Sequence, residues 1–291
     1  MTTTEIGLPL FRRGKVRDIY DLGDSLLMVA SDRLSAFDVI LPTPFPGKGA
    51  VLTQLSAFWF DATRSLCPNH LISADFTQMP PEVRWDDALR GRVMLVRRAR
   101  RIDVECVARG YLAGSAWADY RRNGAIFGAP AEPDLRESDA LATPLFTHTT
   151  KSDAGHDEPL TRSQFVHIVG TELARELEHL SLTLYTFARD HARARGILLA
   201  DTKFEFGFID DRLVVIDEML TPDSSRFWDA TTYAPGGPQA SFDKQFVRDY
   251  LESISWNKRP PAPEMPDAIV VGTMHRYREA FRRITDRELI T

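Results

Sequence analysis

Asp201, Lys203 and Glu205 take every second position of the run LADTKFEFGF, and a further acid, Asp217, closes the apolar run that follows it. Phe204, Phe206 and Phe208 fill the alternate places, so period 2 makes this a β-strand with one charged and one aromatic face. Residues 213–216, all apolar, supply the return strand after the polar Asp210, Asp211 and Arg212. Taking those three residues as the loop sets Phe208 opposite Val214, Phe206 opposite Ile216 and Glu205 opposite Asp217. An even-numbered loop sets Glu205 against Ile216 and Phe204 against Asp217, mixing polar with apolar on both faces. The hydrophobic pattern therefore predicts the three-residue loop. Two carboxylates side by side repel unless a cation lies between them, and their oxygens suit a hard divalent ion such as Mg²⁺. A solvated face whose acids pair with Lys203 fits the hairpin alone equally well. The next segment, TPDSSR, tips the balance: it is an irregular turn dense in hydrogen-bonding groups and ends in Arg226, a residue suited to phosphate.

Two further groups could meet anions. In ARGYLAGSAW, Arg109, two glycines and Ser115, read as the N-cap of a helix reaching about Arg122, describe an anion site at a helix start. A plain capped helix beside an unrelated Arg is the other reading. In GKVRDIY, Lys15 and Arg17 share a strand face and could cover nucleotide phosphates, or form a basic edge that discourages strand pairing. No Walker loop is present. The polar stretch SDRLSAFD reads as a loop presenting side chains to a site. A lone loop histidine, His156, is more simply a hydrogen-bonding residue than a base.

The elements that position these residues follow from pattern. A hairpin spans 14–30, and a helix runs from about Thr53 to Leu66 with Leu55, Phe58, Trp59 and Ala62 buried. Strands at 93–96 and 102–107 flank four arginines, a crossing between two lobes. Residues 128–161, rich in Pro, Asp, Thr and Ser, read as a long functional loop. Helices follow at 161–169 and 171–195, the second with a stripe of Leu173, Leu177, Leu180, Leu184 and Phe187. Later helices are expected at 242–253, capped by Ser241, and at 267–283.

The chain has 291 residues, 43% hydrophobic and 26% charged, with net charge −5. That composition is ordinary for a globular enzyme and argues against a general nucleic-acid binder, which would carry a basic excess. Two separated cysteines, Cys67 and Cys106, form neither a metal box nor a disulfide framework and point to a reducing, cytoplasmic setting. No apolar run suits a signal peptide or a bilayer span.

Taken together and in order, GKVRDIY, SDRLSAFD, ARGYLAGSAW, LADTKFEFG and DEMLTPDSSRFW resemble the SAICAR synthetase (phosphoribosylaminoimidazole-succinocarboxamide synthase) family, in its longer monofunctional form. The resemblance runs from Gly14 to about Leu251. It implies a two-lobed α+β fold, with an ATP-binding lobe similar to those of kinases and ATP-grasp enzymes over 1–107 and a substrate- and metal-binding lobe over 108–291. It implies an ATP- and Mg²⁺-dependent ligase of purine biosynthesis joining the carboxylate of CAIR, an aminoimidazole ribonucleotide, to L-aspartate through an acyl phosphate.

By the same resemblance, Glu205 and Asp217 would bind the metal, and Lys15, with Arg17 beside it, would hold ATP phosphates. Arg109, Ser115 and Arg226 would grip the ribonucleotide 5′-phosphate. Lys203 and Asp201 would lie beside the imidazole and its carboxylate, with Ser35 and Asp38 near the acceptor. The expected partners are small molecules, with neither nucleic acid nor membrane, and the expected assembly is a monomer or small homo-oligomer. Two rivals weigh less. Another ATP phosphotransferase would need a catalytic-loop Asp motif that the sequence lacks. A non-catalytic nucleotide sensor usually loses a metal carboxylate or the phosphate lysine, and here both are kept.

Overall fold

The computed structural model describes residues 1–151 and 157–291. Its first lobe is a five-stranded antiparallel sheet built from hairpins. Strands β1 (Leu10–Arg13), β2 (Arg17–Asp21) and β3 (Ser25–Ala30) pair in sequence. The short hairpin β4 (Ser35–Ala36) and β5 (Val39–Ile40) follows, then helix α1 (Lys48–Ala62). Strands β6 (Leu71–Ser73) and β7 (Val93–Arg97) complete the sheet in the order β1-β2-β3-β7-β6.

The chain then crosses through the arginines at 97–101 into a second antiparallel sheet. Strands β8 (Arg100–Arg101) and β9 (Val104–Tyr111) lead to helix α2 (Gly114–Asn123) and the small hairpin β10 (Ala125–Ile126) and β11 (Ala129–Pro130). Strand β12 (Ala140–Thr150), helices α3 (Arg162–Val169) and α4 (Thr171–Arg193), and strands β13 (Ile197–Ile209), β14 (Arg212–Ile216) and β15 (Ser225–Asp229) follow. Helices α5 (Gln245–Ser253) and α6 (Asp267–Thr285) end the chain. The sheet order is β12-β9-β13-β14, with β15 and β8 also on β13. Helices and antiparallel sheets are segregated, so the fold is α+β, and β9 runs unbroken through residues 107 and 108. Phe204, Phe206, Trp59, Tyr185 and Tyr277 share one continuous core that reaches both lobes.

Several local expectations need correction. The β13–β14 hairpin has a two-residue loop: Ile209 pairs with Arg212, Phe206 with Val215 and Glu205 with Ile216. Asp210 and Asp211 are both left-handed, at φ 50° and 57°, as a type I′ turn requires. The pattern misled because both faces of β13 are buried: Glu205, like Phe204 and Phe206, is buried. The Glu205 face continues through Ile209, Val214 and Ile216, a small apolar cluster of its own, and the Lys151 ion pair offsets the cost of burying the carboxylate beside it.

Helix α1 starts at Lys48, after a left-handed Gly47, and stops at Ala62. Its first six residues are all buried, leaving no polar stripe to mark the start. Ser115 is not the cap of α2: Ala113 holds that place without a side-chain bond, and Ser115 is exposed in the first turn. Ser241 does not cap α5. It bridges Trp228 in extended pairing, and the Asp243 Oδ1 accepts the Gln245 N–H at 2.7 Å instead. The expected loop at 128–161 contains the eleven-residue strand β12, though Thr161 does cap α3 with a full capping box. In α4 the buried line runs through Leu177, Ser181, Leu184 and Ala188, while Phe187 is exposed.

Candidate active site

Three strands of the second sheet carry the candidate residues on one face. β13 pairs with β9 in the register Asp201↔Arg109 and Lys203↔Val107, and with β15 in the register Asp201↔Arg226. Residues opposite one another across an antiparallel ladder share a face. Period 2 therefore collects Asp201, Lys203 and Glu205 from β13, Glu105 and Arg109 from β9, and Arg226 from β15. Phe204, Cys106 and Phe227 lie behind them in the core.

At one end of this face Asp201 Oδ2 accepts from Arg226 Nη1 at 2.5 Å and from Arg109 Nη1 at 3.2 Å. Arg109 also donates from Nε to Thr147 Oγ1 at 3.0 Å, and its guanidinium lies 5.6 Å over the Phe127 ring. Burial pulls the Arg109 pKa down, whereas Asp201 pushes that of Arg226 up. A third cation, Arg248 of α5, is lowered by burial and then by the field of Arg226. Two carboxylates, Asp201 and Asp243, among three guanidiniums still leave positive charge over. Gly114 makes room for the Arg226 side chain: a Cβ there would sit 2.1 Å from Arg226 Nη2, so Arg226 lies against the first turn of α2, where Ser115 is exposed. Guanidiniums at a helix N-terminus form an anion site.

At the other end the groups alternate in sign. Glu105 Oε1 accepts from Lys203 Nζ at 2.5 Å and from Lys151 Nζ at 3.0 Å, and Lys151 also reaches Glu205 Oε1 at 2.6 Å. Burial alone would lower both lysines. The carboxylates outweigh it: Lys151 is raised chiefly by Glu205, and Lys203 chiefly by Glu105. Asp217, one residue past the end of β14, reaches this group through its left-handed backbone, φ 65°, and not through strand register. Its Oδ2 accepts from Arg17 Nη2 at 2.5 Å, and Glu218 lies 3.3 Å from the same guanidinium. Burial would lower the Arg17 pKa, but Asp217 and then Glu218 hold it above its usual value.

Among the described residues no three acids, histidines or cysteines converge as a ready metal cage. The carboxylate oxygens of Glu205 and Asp217 nonetheless suit Mg²⁺, which is commonly held by one or two carboxylates plus water and substrate phosphates.

The remaining expected residues, Lys15, Ser35 and Asp38, are carried by the first lobe. Lys15 pairs with Asp38 at 2.5 Å, both about half exposed, where the β4–β5 hairpin turns through left-handed Phe37 and Asp38. Ser35 is buried in β4. Most of the polar stretch around it is structural. Asp32 binds the N-terminal amine and Arg92, while Arg33 braces the main chain of Thr2, Gly14 and Lys15 and the carboxylate of Asp18. His156 and the acidic loop around Asp153 fall outside the described residues. Glu105 and Lys151 were missed. The alternation that marks Asp201, Lys203 and Glu205 also puts Glu105 in phase with Arg109, and an acid inside an apolar strand was a usable signal.

The match to known proteins is decisive at this point: the profile of the family described as SAICAR synthetase covers residues 10–263. This chain belongs to that family. The phosphoribosylaminoimidazole-succinocarboxamide synthase of Desulfosudis oleivorans is 52% identical over 277 residues, 94% of each chain. That of Pelobacter propionicus is 52% identical over 287 residues, 98% of this chain and 97% of its own. Among solved structures, the SAICAR-synthase from Saccharomyces cerevisiae complexed with SAICAR superposes with a TM-score of 0.89 at 39% identity, covering 99% of this chain and 98% of the yeast one. A SAICAR synthetase in complex with ADP, at 24% identity and a TM-score of 0.70, shares the fold.

Proposed function

We propose that the face carried by β13 lines up the two ends of the ribonucleotide for ligation. The chain is an ATP-dependent ligase joining CAIR to L-aspartate in purine biosynthesis, the activity of its family. No helix among the described residues is long and apolar enough to cross a membrane, and its substrates are small molecules. Beyond that, we read 1–107 as a nucleotide lobe and 108–291 as a substrate lobe, joined through β9. We also read a cytoplasmic enzyme, working as a monomer or small homo-oligomer.

The observation that carries the proposal is the spacing along one strand. From Asp201 to Glu205 the chain rises roughly 13 Å, with surplus guanidinium charge at one end and alternating carboxylates and lysines at the other. A nucleoside monophosphate laid along it places its phosphate on Arg109, Arg226 and the Ser115 turn. Its base carboxylate then lies near Lys203, while Asp201, which holds both arginines, flanks the imidazole from the phosphate end. ATP enters from the first lobe, its phosphates met by Arg17 and Lys15, beside the hairpin of Ser35 and Asp38. Mg²⁺, held by Glu205 and Asp217, would offset charge on the transferring phosphoryl group.

A carboxylate is a poor electrophile because its leaving group would be oxide. Transfer of the ATP γ-phosphoryl group to one CAIR carboxylate oxygen gives an acyl phosphate and ADP. The aspartate amine then attacks the acyl carbon, the C–O bond to phosphate breaks, and amide, inorganic phosphate and one proton are released. The cations Arg109, Arg226, Lys203 and Lys151 bring these anions together, and positioning supplies most of the rest.

The test is isotopic. CAIR labelled with ¹⁸O in its carboxylate should deliver one labelled oxygen to inorganic phosphate, in turnover that needs both CAIR and aspartate. Unlabelled phosphate overturns the acyl-phosphate route.

A further inference from the structure

Behind the ribonucleotide end of the sheet, on the core side with Phe204 and Phe227, Tyr185 of α4 is completely buried. Its hydroxyl donates to the Leu199 carbonyl at 2.7 Å. That carbonyl lies where β13 slips: pairing with β15 runs Leu199↔Phe227 and then Asp201↔Arg226, so Ala200 is the extra residue of a β-bulge. The same hydroxyl presses against β9. A Cβ built on Gly110 would lie 2.0 Å from the Tyr185 oxygen and 2.9 Å from its ring carbon Cζ, so only glycine fits beside it. Gly110 directly follows Arg109, and Leu199 precedes Asp201 by two. A single buried hydroxyl thus fixes the backbone next to both members of the Arg109–Asp201 pair.

We infer that Tyr185 is a positioning residue for ribonucleotide recognition, holding the bulge that aims Asp201 between Arg109 and Arg226 while touching no ligand itself. The inference rests on reading that trio as the ribonucleotide phosphate site. A bulge re-aims one side chain by changing local twist, and without a partner its unpaired carbonyl would be a buried, unsatisfied acceptor. Gly110 and Tyr185 work as a pair, the missing side chain of one making room for the hydroxyl of the other.

The test compares steady-state constants for all three substrates. Tyr185→Phe should raise the KM for CAIR about tenfold, since it removes one buried hydrogen bond. The KM values for ATP and aspartate should stay at wild-type level, with kcat within about twofold. A 4-aminophenylalanine at position 185 restores a donor and should recover most of the CAIR affinity. A purely structural tyrosine would instead lower the melting temperature and the active fraction, leaving every KM unchanged. That result, or an equal rise in all three KM values, overturns the inference. If Tyr185→Phe does not fold, 4-fluorophenylalanine at position 185, which fills the space of the hydroxyl without donating, decides alone: a rise confined to the CAIR KM supports the inference, and unchanged or uniformly shifted values overturn it. Arg109→Ala separates the two layers. If it leaves the CAIR KM unchanged, the phosphate-site reading itself fails. If it raises that KM while Tyr185→Phe does not, only the role of Tyr185 falls.

Discussion

Arg109 and Glu205 stand at opposite ends of the β13 face, and their removal should separate binding from turnover. Arg109 is buried and shares Asp201 with Arg226. A charge-assisted hydrogen bond contributes roughly 1.5–3 kcal/mol, so Arg109→Ala should weaken CAIR binding about 10- to 100-fold. Calorimetry should find ATP affinity unchanged, and an equal loss for both ligands would move Arg109 to the nucleotide side. Glu205→Gln keeps the shape but removes a hard anionic donor. Turnover should fall by about two orders of magnitude or more, recovering in part with excess Mg²⁺. The metal-free protein should melt near the wild-type temperature, because Lys151 keeps its bond to Glu105. Phe206→Gln, on the core face, should instead cost about 3–5 kcal/mol of stability. Collapse of Glu205→Gln with an intact Phe206→Gln would mean the faces are reversed.

Much of this end of the site could be read from alternation alone, since a strand leaves its side chains no choice but to share a face every second residue. The register expected for Asp217 is not the one it adopts, and its place beside Arg17 depends on one left-handed residue that no periodicity reports. Lys151 depends on β12, a strand the pattern concealed.

At the scale of elements, the hairpin and β12 show where pattern stops deciding. Alternation identifies β13, but register needs one polar and one apolar face, and this hairpin is buried on both. The turn then decides, and Asp210-Asp211 adopts the left-handed pair that a two-residue loop demands. β12 was hidden because its first half is exposed, holds Pro144, and reaches its partner through a register shift between Ala140 and Leu145. Helices with a clear stripe or cap, such as α3 and α6, were legible, whereas the fully buried start of α1 was not. The turn makes its own prediction. Glycine adopts positive φ without strain, so Asp211→Gly should stabilise the protein by up to about 1 kcal/mol in urea unfolding. Arg212→Gly, inside β14, should destabilise it by about as much. The opposite ranking would favour the three-residue loop.

For the molecule as a whole, stability against pH depends on buried carboxyls whose shifts oppose one another. Asp32 and Asp18 have lowered pKa values: burial would raise each, but hydrogen bonds and cations outweigh it. Such groups stabilise the fold above their unfolded pKa, and that contribution is lost as pH falls. Asp243 acts the other way. Burial pushes its pKa up to about 6, against the pull of Arg248 and Arg226 and of the Phe227 and Gln245 N–H groups that it accepts. The unfolded chain releases this proton near the ordinary carboxyl value, about 4, whereas the native protein keeps it to about pH 6. Between those values the native state binds more protons, so this group makes the protein less stable as pH rises, by up to about 3 kcal/mol once pH exceeds 6. Asp243→Asn removes the titration while keeping one acceptor oxygen, at the fixed cost of one lost backbone bond. Measured by urea unfolding from pH 4 to 7, the variant should gain on the wild type as pH rises, with most of the gain complete by about pH 6.5. A stability difference that is flat across that range, or that moves against the variant, would show Asp243 ionised in the native state throughout. The carboxylate would then be held by Arg226 and Arg248 even at pH 4 to 6, and in that range fewer positive charges at the α2 end of the sheet would be left for a phosphate.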